Sequence, residues 1–414
     1  MPALSPPRYM SRFRCIAERC EDSCCAGLTV PVSPPQARRI RDALGDTAPI
    51  SEEDPSLGAV LRMRPDGGCS LLDAERLCSL QRHHGEALLP DICATFPRVV
   101  TRWGERWELA GTLACPEVAR LCLLAEDAFH LEAAVPPASL LPRPDVARTI
   151  EPDEAWTAHA ETVRDALLRW LDRRTHPLAS RIALLGHFAH AVEDVYFQGT
   201  RTPREALQAD LDAALQHFDR ADTQQAVHQD FAPLALPGAP SVGLFASILR
   251  ARMAALRGPR FRALAHGVLT SLGLDADDPE RLEAAWRLHD ARWRHLTGAH
   301  GARLDQVFRH YALHAVWRTP FTDAPTLLGY VFRLALRLGL LRFMLMGHPR
   351  VEALHLAPAT PEASASLDLA VVETFQLVAR HVETSPEFLT LARGLEGTGR
   401  GAQTLGKTLV FASF

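Results

Sequence analysis

From about residue 150 onward, apolar side chains recur at three- and four-residue intervals, the spacing that lines one face of an α-helix. Ala155–Asp172, Arg181–Phe197, Pro203–Phe218, Ser241–Leu256, Glu280–Leu296, Arg303–Trp317 and Ala365–Val382 all carry it. Breaks fall at Gly199, across 232–240, across 275–279 and between Pro358 and Pro361. Leu327–Met346 is apolar almost all round, but Arg333, Arg337 and Arg342 interrupt it. Each arginine near a bilayer centre costs about 2.5–3.5 kcal/mol, so the pattern predicts a buried helix with a cationic edge and no membrane span. No internal repeat appears, and strands do not alternate with helices. The pattern therefore argues against a Rossmann-type methyltransferase domain or a TIM barrel.

The first 125 residues read differently: short apolar runs separated by Cys, Pro and Gly. Ser33 followed by Pro34 and Pro35 predicts a helix start within Val32–Leu44. Thr101–Leu109 predicts a hairpin turning at Gly104-Glu105, with Trp103 and Trp107 near each other as packing residues. Cys115-Pro116-Glu117 opens a helix predicted to run to about Phe129. The expected fold is mainly α. An irregular cysteine-rich module with a short hairpin spans 1–133, a proline-rich linker 134–148, and a multi-helix domain for substrate or partner binding 149–414.

Composition and charge add bounds. A hydrophobic fraction of 47% over 414 residues is that of a globular protein. A net charge of −4 makes no case for a nucleic-acid partner. The N-terminal stretch has no apolar run of signal-peptide length, which places the expected compartment in the cytoplasm. Thiols stay reduced there, so clustered cysteines point to metal binding before disulfides.

The cysteines are the chemistry in this sequence. All nine fall between Cys15 and Cys122. Cys15, Cys20, Cys24 and Cys25 form one group, Cys69, Cys78 and Cys93 a second, and Cys115 follows. Soft thiolates select zinc or iron–sulfur centres. Gly67-Gly68 before Cys69 and Pro90 before Cys93 supply turns that aim thiols. Glu21 and Asp22, beside the first group, are expected to face solvent. Cys122 sits on an apolar helix face and is expected to be a buried small hydrophobe. Neither the zinc-ribbon spacing nor the CxxxCxxC radical signature is present.

Three stretches resemble the flagellin lysine-N-methylase (FliB-like) family: FRCIAERCEDSCCAG at 13–27, CSLLDAERLCSLQRHHGEALLPDICATFPR at 69–98, and LACPEVAR at 113–120. LDQVFRHYALHAVWRTPF at 304–321 resembles it more weakly, and the cysteine pattern is loosely similar to a CxxCxxCC family of zinc- or iron-chelating proteins. The resemblance implies methyl transfer from S-adenosylmethionine to lysine amines of flagellin by a cytoplasmic iron–sulfur protein. By position it makes Cys15, Cys20, Cys24, Cys25, Cys69, Cys78, Cys93 and Cys115 the ligand candidates for a [4Fe–4S] cluster, with zinc as the alternative. One centre or two, and which four thiols, stay open. The chain departs from the family at Leu28, where tryptophan is usual, and at His314, where an amide-bearing residue is expected. Both bear on substrate preference.

Lysine methylation needs a neutral amine from a group whose free pKa is about 10.4, hence a proton acceptor. Tyr311 and Glu117 are the catalytic candidates, and Arg98 the candidate for the donor carboxylate. His310/His314 and His187/His190 have the spacing of metal-binding pairs, but eighteen histidines produce such pairs by chance. Gly401–Thr408 matches GxxxxGK[ST], yet only six residues follow it, too few for the helix a P-loop requires. The competing function is a non-catalytic, zinc- or iron-stapled interaction protein.

Overall fold

The computed structural model describes residues 4–26, 29–54, 58–103, 106–141, 143, 146–150, 159–193, 204–234, 238–256, 259–275, 278–319, 321 and 324–414. Among them the fold is mainly α. The helices are α1 Arg8–Ser11, α2 Pro34–Leu44, α3 Ser79–His84, α4 Asp91–Thr95, α5 Pro116–Leu124, α6 Ala160–Asp172, α7 Leu178–Ala191, α8 Arg204–Asp219, α9 Ala221–Phe231, α10 Ala239–Ala255, α11 Pro259–Ser271, α12 Leu282–Arg318, α13 Leu327–Gly347, α14 Pro349–Leu354, α15 Pro361–His381, α16 Pro386–Glu396 and α17 Gly401–Ser413. Strands β1 Ile50–Asp54 and β2 Gly58–Leu61 pair antiparallel. β3 Arg98–Trp103 lies between antiparallel β4 Arg106–Gly111 and parallel β5 Arg148–Ile150.

α13 is the centre of the helical bundle, and α7, α11, α12 and α17 pack around it. A helix apolar on every side can be satisfied only by burial on every side. Its cationic edge is real: Arg333 reaches Glu396 at 2.5 Å. No helix among the described residues is long and apolar enough to cross a membrane.

The two helices expected at 280–296 and 303–317 are one element, α12, bent at His300 (φ −134°, ψ 27°) between Gly298 and Gly301. The bend preserves each half's apolar face while turning it, so periodicity reads as two helices what the backbone joins. Helix α5 stops at Leu124, short of Phe129. The helices α1, α3, α4, α9, α11, α14, α16 and α17, and strands β1, β2 and β5, are not legible in the sequence as separate elements.

The β3–β4 hairpin forms where expected; its turn, Gly104-Glu105, lies outside the described residues. The tryptophans do not meet across it. Register pairs Trp103 with Arg106 and Arg102 with Trp107, and since strand side chains alternate, the two indoles leave opposite faces. Trp103 Nε1 donates to buried Glu108 at 3.0 Å, and Arg164 from α6 grips the same carboxylate. Gly111 ends β4 because any side chain there would collide with Met10 and Val118.

Apolar packing falls into two cores. The small one is built by residues between Val30 and Ala94. The large one joins the bundle to Leu4, Tyr9, Met10 and Phe13, to β3 and β4, and to α5. The segment around 131–135 pairs with the N-terminal strand through Leu4 and Pro7.

Candidate metal centre

Five thiols gather at the margin of the small core. Gly67 takes φ +85°, which a side chain would strain, and Gly68 N donates to Asp66 at 2.9 Å; this turn delivers Cys69. Cys69 N then donates to Cys25 O at 2.8 Å, and Ala26 bridges to Gly68, so the first and second cysteine groups are stitched by backbone. Cys78 precedes the first turn of α3, and Cys93 lies within α4 after Pro90. The Cys24 and Cys25 sulfurs are 3.9 Å apart.

These thiols feel one another electrostatically. Burial pushes Cys93 up to about 12, with Cys78, Cys69 and Cys24 adding to the rise. Burial also raises Cys69, again with Cys78 and Cys24 contributing. Cys24 and Cys25 share an S–H···S contact in which either can donate; it brings Cys24 down to about 7, with Arg380 assisting, and raises Cys25. Cys15, Cys20 and Cys115 form a separate set. Burial raises Cys115 to about 12 against the pull of the Val118 and Glu117 N–H groups, and Cys20 and Cys15 add to it. Cys122 is fully buried in the large core on α5, about two helical turns beyond Cys115, which caps that helix.

The fit to a metal has two sides. Donor chemistry suits zinc or iron: half-buried thiols, none in a disulfide, from three loops. As the side chains stand, no three His, Cys, Asp or Glu groups among the described residues meet at coordinating distance. Backbone bonds join the Cys25 and Cys69 segments; holding a metal would require the sulfurs to rotate inward and most to lose a proton.

The clamp on this site was not foreseen. Arg380 of α15 donates to Ser23 O at 2.6 Å and also to Ala26 O, and it pairs with Asp22 at 3.0 Å. Gln376, one turn earlier, donates to Asp22 at 2.9 Å and Ala114 O at 3.2 Å. Arg260 of α11 lies 3.4 Å from Asp22. Asp22 is thus drawn into the protein, with 14% of its side chain exposed, where solvent exposure was expected. The carboxylate is paid for by two guanidinium groups and an amide. Glu21, more open, pairs with Arg120. The available signal was Gln376 and Arg380, a polar pair four residues apart flanking the buried apolar residues Leu377 and Val378.

The other candidates are dispersed. Glu117 pairs with Arg120 at the start of α5, next to Cys115. Arg98 stands over the Phe13 ring at 5.7 Å and feels Cys15. Tyr311 is buried in the bundle, its hydroxyl donating to Glu383, and burial raises its pKa well above 10. His310 and His314 do not form a metal pair. His310 Nδ1 meets Cys122 O at 3.0 Å, while His314 Nε2 donates to Gly111 O at 2.6 Å, the service an amide N–H would render. His190 meets Glu193 at 3.2 Å. The GxxxxGK[ST] match lies within α17 itself, so no phosphate-cradling loop exists there.

Fold and site together define a helical-bundle protein that clamps a thiol-rich module against two of its helices. The sequence profile of the FliB lysine N-methylase C-terminal domain matches residues 164–409, more than half of the chain. The chain belongs to the FliB lysine N-methylase family. It is 27% identical over 137 residues to the lysine-N-methylase of Salmonella typhimurium (strain LT2), covering 31% of this chain and 34% of that protein. It is 26% identical over 137 residues to the flagellar biosynthetic protein FliU of Salmonella muenchen, covering 31% of this chain and 81% of that one. The match therefore spans about a third of the Salmonella typhimurium enzyme. No solved structure matches the chain.

Proposed function

We propose that this protein transfers a methyl group from S-adenosylmethionine to lysine ε-amines of flagellin, and that thiols of its module hold an iron–sulfur centre. One observation carries the reading: a FliB methylase domain profile over 164–409 occurs in a chain whose α15 holds a five-thiol module in place. The flagellar name of the Salmonella muenchen relative supports the substrate.

In the reaction the lone pair of a neutral lysine amine forms a bond to the methyl carbon. The carbon–sulfur bond breaks, its electron pair stays on sulfur, and S-adenosylhomocysteine leaves. The amine must surrender a proton. Of the two catalytic candidates, Glu117 lies beside Cys115 and keeps some solvent access, whereas Tyr311 can act only through Glu383 in the bundle interior. Arg98, over the Phe13 ring and close enough to feel Cys15, is the residue that would bind the donor carboxylate. Cys24, Cys25, Cys69, Cys78 and Cys93 supply the ligands of the principal centre, and Cys15, Cys20 and Cys115 form the second thiol set. When bound, the cluster joins the loops and offers a Lewis-acidic iron.

The test is anaerobic incubation of purified protein with deuterium-labelled S-adenosylmethionine and flagellin, followed by mass spectrometry. Labelled methyl-lysine, together with broad visible absorption from thiolate–iron charge transfer, is expected. A colourless protein with stoichiometric zinc and no transfer would favour the stapled interaction protein.

A further inference from the structure

A second site lies inside the bundle, and its lining contains no cysteine. A cavity of about 370 Å³ opens between the start of α7, both arms of the α12 bend, α13 and the end of α17. That volume is within the lower range for small-molecule sites. Its walls are mostly apolar, led by Ile182, Trp293, Phe308, Leu338 and Phe414. One cation, Arg342, faces into it.

Arg342 is half-buried with its Nε shielded from solvent, and its guanidinium lies 4.1 Å from the Trp293 ring centroid. Nη1 has a long contact of 3.4 Å to Ser413 O, and Nε has no partner. Among the described residues no carboxylate stands within ion-pair distance of it. Among the described residues Arg318 and Arg337 likewise have no carboxylate partner, but it is Arg342 that lines the cavity. Arg181, Arg292, Arg303 and Arg309, on the same or adjoining helices, each end on a carboxylate. The acids near Arg342 are already engaged: Asp305, in the cavity wall, is held by Arg181 at 2.6 Å, and Asp290 by Arg294. Burial lowers the Arg342 pKa to about 9, as expected of a cation without a counter-ion. A partly buried charge of this kind is costly unless paired.

We propose that this cavity binds an amphipathic monocarboxylate, its apolar body among the aromatic rings and its carboxylate on Arg342. The cation supplies charge-assisted hydrogen bonds to the anion. The aromatic and aliphatic walls select an apolar body over a sugar or a phosphate ester. The bend at His300 falls between Thr297 and Gly301 of the wall.

Isothermal titration calorimetry with 1-naphthylacetate tests this on the full chain, with 2-(1-naphthyl)ethanol as the neutral analogue and decanoate as the alkyl analogue. Wild-type protein should bind the naphthyl carboxylate at least about tenfold more tightly than the alcohol, the scale of a hydrogen bond to a charged group. Arg342→Met should remove that preference while leaving alcohol binding within about twofold. Thr297→Phe, which fills part of the cavity from its wall, should weaken all three ligands and keeps the test decisive should Arg342→Met fold poorly. Decanoate binding comparable to naphthylacetate would identify the apolar body as alkyl or aryl alike; tenfold weaker binding would confine it to aryl acids. Equal affinity for acid and alcohol in the wild type, or an unchanged preference in Arg342→Met, would overturn the proposal. So would displacement of naphthylacetate by S-adenosylmethionine, which would give the cavity to the methyl donor. The site does not depend on the methylase reading, since its readout is binding alone.

Discussion

The thiol-rich module and the helical bundle keep their shapes by different means. The bundle has a continuous apolar core, with α13 buried on all sides. The module has eleven buried apolar residues, Cys69 among them, under loops fixed largely by backbone hydrogen bonds. A unit with so small a core is at the edge of what apolar burial alone can hold. It borrows order from the bundle through Arg380 and Gln376, and a metal on its thiols would supply the remainder. The difference teaches where each variant should be felt: module variants in metal content, bundle variants in the unfolding free energy.

The largest expected effect belongs to Cys93. Cys93→Ala should strip the metal and take methylation below detection, a loss of at least about 100-fold given how ligand-shell changes act. Far-ultraviolet circular dichroism should stay that of a helical bundle. Metal analysis by mass spectrometry decides it. Full metal in the variant would remove Cys93 from the ligands and weaken the contrast between the two regions.

Why the contrast was half-legible in the sequence follows from the same physics. Amphipathic spacing in 160–172, 239–255 and 361–381 is a local property, and helices appear there close to the expected bounds. The α12 bend at His300 depends on packing of two faces, which spacing cannot report. Thiol clustering was visible as a pattern, but its division into two sets is set by loop paths between distant residues. The joint of Asp22 with Arg380 spans most of the chain and left only a faint local sign, the Gln376/Arg380 pair. The indole positions failed on register: a two-residue turn puts Trp103 and Trp107 out of phase.

On the bundle side, Arg164→Met should be the most damaging single change. Arg164 is 1% exposed and holds Glu108, itself 4% exposed, with one contact at 2.6 Å. Removing it leaves a buried carboxylate to Trp103 Nε1 and to Arg106 at 3.1 Å. Breaking a buried pair in this way costs about 3–5 kcal/mol. Urea unfolding should show the loss, and metal per folded molecule should not change. If the metal fell in proportion, the two regions would be one cooperative unit.

Arg380→Met acts at the joint and sharpens the comparison from both sides. It deletes the donors to Ser23 O and Ala26 O and the Asp22 pair, while Gln376 and Arg260 remain on Asp22. Charged hydrogen bonds of this sort contribute about 1.5–3 kcal/mol. Limited proteolysis should find new cleavage in the 15–26 loop, with metal lost to chelators faster than in wild type and the bundle intact. Arg380→Lys, a point charge without the fork, should recover only part of the protection. Cleavage confined to the helices would mean that the clamp does not order the module.

The smallest effect isolates the ninth thiol. Cys122 lies in the same sequence cluster as the ligand candidates, yet it is buried on α5 within the large core, and burial raises its pKa well above 9. If proximity in sequence decided metal binding, Cys122→Ala would lower metal content as Cys93→Ala does. If the region decides, the substitution removes only a buried sulfur atom, and the cost is that of a small cavity, about 1–2 kcal/mol. The expected outcome is unchanged metal and methylation with a modest fall in urea midpoint. Loss of metal with an unaltered midpoint would place Cys122 among the ligands and erase the boundary between module and bundle along α5.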